Sequence, residues 1–386
     1  MKEKKRISVK KILLIILCAV IVLLVAGDWI LSVSIYNENF SQRFTTDEAL
    51  SFHLEDFEGL ERTQYKFPSD KGQMLTGYMY SVENERYESG QCGQRGIEQS
   101  GINQRGTEPH GIVIMAHGFG GGGNNSYMDC ANFFAHHGYY AFAYDATGND
   151  ESEGEGVGGL PQGVIDLSYA ISFVEGNKDF GNLPIVLFGH SWGGYSVSSV
   201  LKYHPEVKAV VECSGFNKSS DMFEVEGKNQ AGDFIYVMLP FVKLHELIKY
   251  GKYAANSAMD GFAATDARVM VVHSADDNVV PIEYGYDIYY DKYKDDNRFT
   301  FVRLETNGHN HVFASKEYTD YMNDFNAPFK DWVATFDYDY RAEENLERYK
   351  ADRAAYIKKN LDRTIWCNAL DTDMFNNFVS FYDESL

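Results

Sequence analysis

Leu183-Pro-Ile-Val-Leu-Phe-Gly-His-Ser-Trp-Gly-Gly-Tyr195 is the stretch that decides the fold. An apolar run ends at Phe188. A Gly-His-Ser-Trp-Gly turn follows from Gly189 to Gly193. Helix-compatible sequence then continues through Leu201 and Tyr203. The order is strand, sharp turn, helix. Such a turn forces Ser191 toward a strained backbone, and glycines at 189 and 193 remove side chains that would collide as strand and helix close together. The serine hydroxyl then stands clear of the backbone, beside a helix N-terminus that favours developing negative charge. Alone, these five residues also read as a Gly-rich turn. The flanking elements and the partners downstream carry the catalytic reading.

Working outward, short apolar runs recur at Ile112–Ala116, Tyr140–Tyr144, Ile185–Phe188, Ala209–Val211, Val269–Val272 and Phe299–Val302. Helix-compatible segments separate most of them. Near-continuous apolar strands alternating with helices predict a mostly parallel sheet covered on both faces. Sites in such sheets form at the carboxyl ends of strands. Gln73–Tyr80 alternates and predicts an antiparallel edge strand, and residues 37–70 read as a polar stalk. Residues 82–110, rich in Gly, Gln, Glu and Ser, read as a mobile loop insertion. Residues 214–265 fall between two strands above the carboxyl edge and predict a lid. Residues 335–386 read as a helical C-terminal extension.

An activated serine needs a base, an orienting acid and an oxyanion hole. The acid candidate is Asp277, in His273-Ser-Ala-Asp-Asp-Asn-Val-Val-Pro281, after the Val269–Val272 strand. Asp276 competes with it. The base candidate is His309, in Asn307-Gly-His-Asn-His311, with His311 as its competitor. The oxyanion donors are the backbone N–H of Trp192 and, from the His117-Gly-Phe-Gly loop, that of Phe119. His117 and His190 read as structural neighbours of these turns. The Gly120–Gly123 run lacks the Lys and Ser/Thr of a phosphate-binding loop. The acidic stretches Asp337–Asp339 and Asp371–Asp373 read as solvated faces.

From Gly111 to Phe313 the chain resembles the α/β-hydrolase superfamily. The Ser…Asp…His order is that family's order. Asp277-Asn-Val-Val-Pro281 and Gly308-His309 are similar to its acid and base loops, Tyr144-Asp145 with Gly148 to its segment before the elbow, and His117-Gly-Phe-Gly to its oxyanion loop. The resemblance implies a serine hydrolase with no metal or organic cofactor. Its substrate is an ester or thioester first, as the family's commonest activity. Peptidase activity is the alternative, because Gly189 to Tyr195 is also similar to the elbow of serine aminopeptidases. A non-catalytic, membrane-anchored binding protein on the same fold is the third reading. The implied partner is a small acyl substrate or short peptide.

The N-terminus carries a separate signal. Ile12 to Gly27 is uncharged and apolar. Lys2, Lys4, Lys5, Arg6, Lys10 and Lys11 against Glu3 give the first 11 residues a net +5, which leaves −26 for the rest of a −21 chain. This predicts a signal anchor over residues 1–36, with a cytoplasmic N-terminus and an extracellular hydrolase domain over 37–386. A cleaved signal peptide is the rival. A span of Val9–Gly27 puts Asp28 at the outer interface and makes Trp29 an interfacial anchor. The acidic body argues against nucleic-acid binding. The five cysteines, Cys18, Cys92, Cys130, Cys213 and Cys367, match no zinc or redox spacing and read as reduced thiols.

Overall fold

The apolar runs become the strands they predict. The computed structural model describes residues 8–82 and 109–386. Eight strands form one sheet: β1 Leu60–Pro68, β2 Met74–Val82, β3 Gly111–Ala116, β4 Tyr139–Tyr144, β5 Ile185–His190, β6 Ala209–Cys213, β7 Arg268–Ser274 and β8 Phe299–Leu304. Their order across the sheet is β1-β2-β4-β3-β5-β6-β7-β8. β1 and β2 are antiparallel, and β4 through β8 run parallel to β3. This is the α/β-hydrolase fold. Alternate residues of each strand serve opposite faces. Ile112, Ile114 and Leu187 join one buried cluster, and Val113, Met115 and Phe188 join the other.

Helices fill both faces of the central strands, so β3 through β7 need no polar side. The chain opens with α1, Val9–Phe40, and continues after β3 with α2, Met128–His136. α3, Pro161–Gly176, and α4, Trp192–Val200, follow β4 and β5. Between β6 and β7 lie α5, Ser219–Ala231, α6, Ile235–Tyr250, and α7, Ala258–Ala263. α8, Tyr286–Tyr293, precedes β8. The last four are α9, Lys316–Val333, α10, Leu346–Asn360, α11, Arg363–Cys367, and α12, Thr372–Asp383. α3, α4, α7 and α8 pack on the Leu187 face, whereas α2 and α12 pack on the Phe188 face.

Four readings of the sequence need correction. β2 is not the edge strand, because β1 lies outside it. The polar residues of β1 hide it: only Leu60 and Phe67 are buried. The stalk is likewise no tether. Its backbone is bonded into the site loops, with Gly158 N–H donating to Phe40 O at 2.8 Å and Asp150 N–H to Phe44 O at 2.9 Å. The C-terminal segment is not all extension, since α12 is a core helix. Phe375, Phe378 and Tyr382 are buried, and the Tyr382 hydroxyl donates to Leu187 O at 2.7 Å. The inserted part is α9 to α11, held by an aromatic cluster of Phe325, Phe329, Trp332 and Tyr356. Within residues 214–265, α7 packs on the core through Phe262, so only α5 and α6 lie over the site. The loop expected over 82–110 falls almost wholly outside the described residues.

α1 is 32 residues long, and an 18-residue stretch of it has a mean hydropathy of 2.9 with none of it buried. By length and composition it suits a membrane span or a signal sequence. Its last turns differ: Ser32, Tyr36 and Phe40 are buried against the domain. Cys18, Cys130, Cys213 and Cys367 are free thiols.

Candidate active site

Ser191 sits between β5 and α4 at φ 57° and ψ −116°, a region a residue with a Cβ seldom adopts. Gly193 and Gly189 make that turn possible. A Cβ on Gly193 would strike the Ala116 carbonyl, and one on Gly189 would strike the Gly193 carbonyl. The Ser191 N–H is fixed by Cys213 O at 2.8 Å, and Ser191 O accepts from Tyr195 N–H at 3.0 Å. The turn is thus anchored at both ends.

The structure brings Ser191, His309 and Asp277 into one chain of hydrogen bonds. His309 Nε2 lies 2.9 Å from Ser191 Oγ, and His309 Nδ1 lies 2.7 Å from Asp277 Oδ2. With Nδ1–H donating to the carboxylate, Nε2 is left to accept from the Ser191 hydroxyl. Asp277 is buried in turn, and its Oδ1 accepts from Val279 and Val280 N–H, both at 2.9 Å. Burial pushes its carboxyl up, but the hydrogen bonds from His273 and His309 outweigh that and hold it well below the usual carboxylate range.

The competitors occupy other posts. Asp276 accepts from the Ser274 hydroxyl at 2.6 Å and from Gly308 N–H at 2.8 Å, and so shapes the loop that carries His309. His311 stands edge-on to Tyr318. His190 lies between Tyr127 Oη at 2.9 Å and His309 O at 3.0 Å. Burial and the neighbouring His309 drop its pKa to about 3, so it stays neutral. His117 accepts from Ala146 N–H at 3.0 Å through Nε2.

Phe119 and Trp192 line the same cavity as Ser191. Among the described residues neither backbone N–H has an intramolecular acceptor. The Trp192 side chain is tied down by Leu160 O at 2.8 Å, and the Phe119 ring packs edge-on against Trp192, Phe40 and Phe44. The end of α1 therefore braces the loop that carries Phe119. The cavity measures about 760 Å³, within the range of small-molecule sites. Met222, Phe223 and Ile235 of α5 and α6 form part of its wall, as do Ile35 and Phe40 of α1.

Two buried groups escaped the sequence reading. His273 Nε2 lies 2.8 Å from Val280 O and 3.3 Å from Asp277 Oδ2, so a second imidazole stands against Asp277. Its signal was its position four residues before Asp277. Burial lowers its pKa, but Asp277 and Glu212 together raise it above its ordinary value. Glu212, on β6, accepts from Gly215 N–H at 2.9 Å through Oε2. Glu212 Oε1 and His273 Nδ1 are buried with no partner among the described residues. Burial lifts the Glu212 carboxyl to about 7, with His273 opposing. A raised folded pKa means the folded state holds the proton more tightly. Stability is therefore expected to fall as pH rises from about 4.5 toward 7. Glu212→Gln keeps the acceptor and removes that slope. Melting temperatures at pH 5 and pH 8 should differ more for the native chain than for the variant.

Glu175, His204 and Glu206 hold their ligand atoms within 4.8 Å of one another. His204 already spends its ring nitrogens on Ser168 and Glu206, each at 2.8 Å, and none of the three lines the cavity.

Comparison with known proteins adds an independent line. Residues 107–250 match the model of a family described as serine aminopeptidase, S33. The match includes Ser191 and ends before Asp277 and His309. No curated protein matches the chain. Solved structures similar to it include an esterase of Pyrococcus furiosus, 13% identical, covering 74% of this chain and 94% of its own, at a TM-score of 0.49. Another is an acylaminoacyl peptidase of Pyrococcus horikoshii, 16% identical, covering 67% of this chain and 39% of its own, at 0.45. A third is an esterase of Butyrivibrio proteoclasticus with ferulic acid bound, 16% identical, covering 68% and 98%, at 0.45.

Proposed function

We propose that this chain, a member of the α/β-hydrolase superfamily, is a membrane-anchored serine hydrolase that cleaves carboxylic esters or thioesters through an acyl-enzyme. The observation that carries the reading is the Ser191–His309–Asp277 hydrogen-bond chain at the wall of an apolar cavity. Ser191 Oγ attacks the acyl carbon while His309 Nε2 takes its proton. His309 then returns that proton to the leaving group, and Asp277 stabilises the imidazolium and holds its tautomer. The Trp192 and Phe119 N–H groups receive the oxyanion, each worth about 3 kcal/mol. Water, activated by the same histidine, releases the acid. α5 and α6 act as the lid.

A serine peptidase is the second reading. It draws on the family description and on Glu226, a carboxylate at the cavity able to pair with a substrate α-ammonium. A fluorophosphonate probe tests the hydrolase reading. Labelling lost in Ser191→Ala supports it, and a folded chain that never labels is a binding protein instead. Rates on acyl esters of graded length against aminoacyl amides separate esterase from peptidase.

The anchor reading places α1 across the membrane, with basic residues 2–11 inside and the catalytic body outside. Protease added to intact cells is expected to digest the body, and carbonate washing to leave full-length chain in the membrane pellet. Mature protein in the medium with its N-terminus beyond Gly27 overturns the anchor. A protected body overturns the orientation.

A further inference from the structure

α6 is apolar on two opposite sides. One side, Ile235, Met238, Leu239, Val242 and Glu246, is buried on the domain. The other side carries Val237, Leu244, Leu247 and Ile248, which are 46–68% exposed, with Phe234 just ahead of the helix at 49%. Val237, Phe241, Leu244 and Ile248 follow the i, i+4, i+7, i+11 spacing of one helical face. A soluble helix turns a polar side outward, so a second apolar face calls for an apolar partner.

Its neighbour indicates the partner. Trp29 of α1 meets Phe241 and His245 edge-on, each at 6.3 Å between ring centroids. Seven residues on, Tyr36 meets His245 at 4.9 Å, and its hydroxyl donates to Glu246 at 3.1 Å. The two helices therefore run side by side in the same direction, from Trp29 and Phe241 to Tyr36 and Glu246. Trp29 stands just after the uncharged apolar run Ile12–Gly27 of α1. Val237, one turn before Phe241 on the same helical face, thus extends the exposed apolar surface of α1 sideways. The charges agree. α6 exposes Lys243, Lys249 donates to Gly158 O at 2.7 Å, and its one carboxylate, Glu246, is buried and accepts from Ser219 at 2.6 Å. A basic, apolar helix on so acidic a body suits anionic headgroups. Ile235 on α6 and Ile35 on α1 also line the catalytic cavity, so its wall begins at this surface.

We propose that the outer face of α6 lies in the headgroup layer beside α1, so that the cavity takes a lipid-like acyl ester from the bilayer. The inference rests on α1 being a membrane span and on Ser191 being the nucleophile. Full-length protein in vesicles containing an anionic phospholipid and a phospholipid with a photoreactive acyl chain tests the contact without relying on activity. Adducts are expected on both 9–30 and 234–248. Adducts on 9–30 alone overturn the docking surface and leave the span standing, and adducts on neither overturn both. The variant Val237→Asp/Leu244→Asp changes exposed residues that do not line the cavity. It is expected to lose about ten-fold or more on a vesicle-resident long-chain ester and less than about two-fold on a water-soluble short-chain ester. Equal effects on the two substrates overturn the proposal. A chain inert toward both esters with adducts intact removes the substrate claim and keeps the surface.

Discussion

Ser191→Ala is expected to retain less than about a thousandth of the hydrolytic rate while the protein melts at an unchanged temperature. The expected loss is large because the substitution removes the hydroxyl that is proposed to attack and little else. The remaining rate is what the oxyanion donors and the cavity supply to water alone. The fold should not change, because among the described residues the side chain bonds only to His309, at 2.9 Å. Alanine bears the same strain at φ 57° as serine does, since both carry a Cβ. Steady-state rates on a susceptible ester, with thermal melting as the control, check this. A well-folded variant above the threshold removes Ser191 from its role.

The sequence showed the sheet's centre more plainly than its margins, for a physical reason. Strands covered on both faces must be apolar at every position, so β3 through β7 stand out as runs. An edge strand such as β1 exposes most of its side chains, and Glu61, Arg62 and Thr63 read as loop. α12 has the period of a core helix, with Phe375, Phe378 and Tyr382 on one side. In sequence it reads as extension because the α9–α11 insertion separates it from β8. The candidate site divides the same way. Ser191, Asp277 and His309, which the structure joins by hydrogen bonds, stand out in the sequence because each follows a strand and sits among turn residues. Glu212 and His273 lie inside apolar strands, where only packing across the sheet shows that Glu212 acts on His273 and that His273 reaches Asp277. The buried end of α1 was hidden by its own hydropathy, which says how long the helix is but not where it folds back on the domain.

Asp277→Asn is expected to cost about 10⁴-fold in turnover, whereas Asp276→Asn should stay within about three-fold. The two residues are adjacent and differ in what they receive. Asp277 Oδ2 accepts from His309 at 2.7 Å and lies 3.3 Å from His273 Nε2, while Oδ1 accepts from two backbone N–H groups. An asparagine that keeps its carbonyl toward Val279 and Val280 must turn its NH₂ toward His309. His309 Nδ1 then becomes the acceptor and Nε2 carries the proton, facing a serine it can no longer deprotonate. Among the described residues Asp276 accepts only from the Ser274 hydroxyl and Gly308 N–H, through Oδ1, and an asparagine carbonyl does that equally well. Stability separates the two carboxylates as well. Because the Asp277 carboxyl is held below its ordinary value, the stability it contributes is present above about 3.8 and is lost as pH falls through the folded value. The native chain should therefore lose more stability than Asp277→Asn between pH 5 and pH 2. Rates of both variants at neutral pH, with melting curves over that range, check the assignment. A larger loss at Asp276 than at Asp277 would move the acid by one residue and with it the whole carboxylate–imidazole geometry.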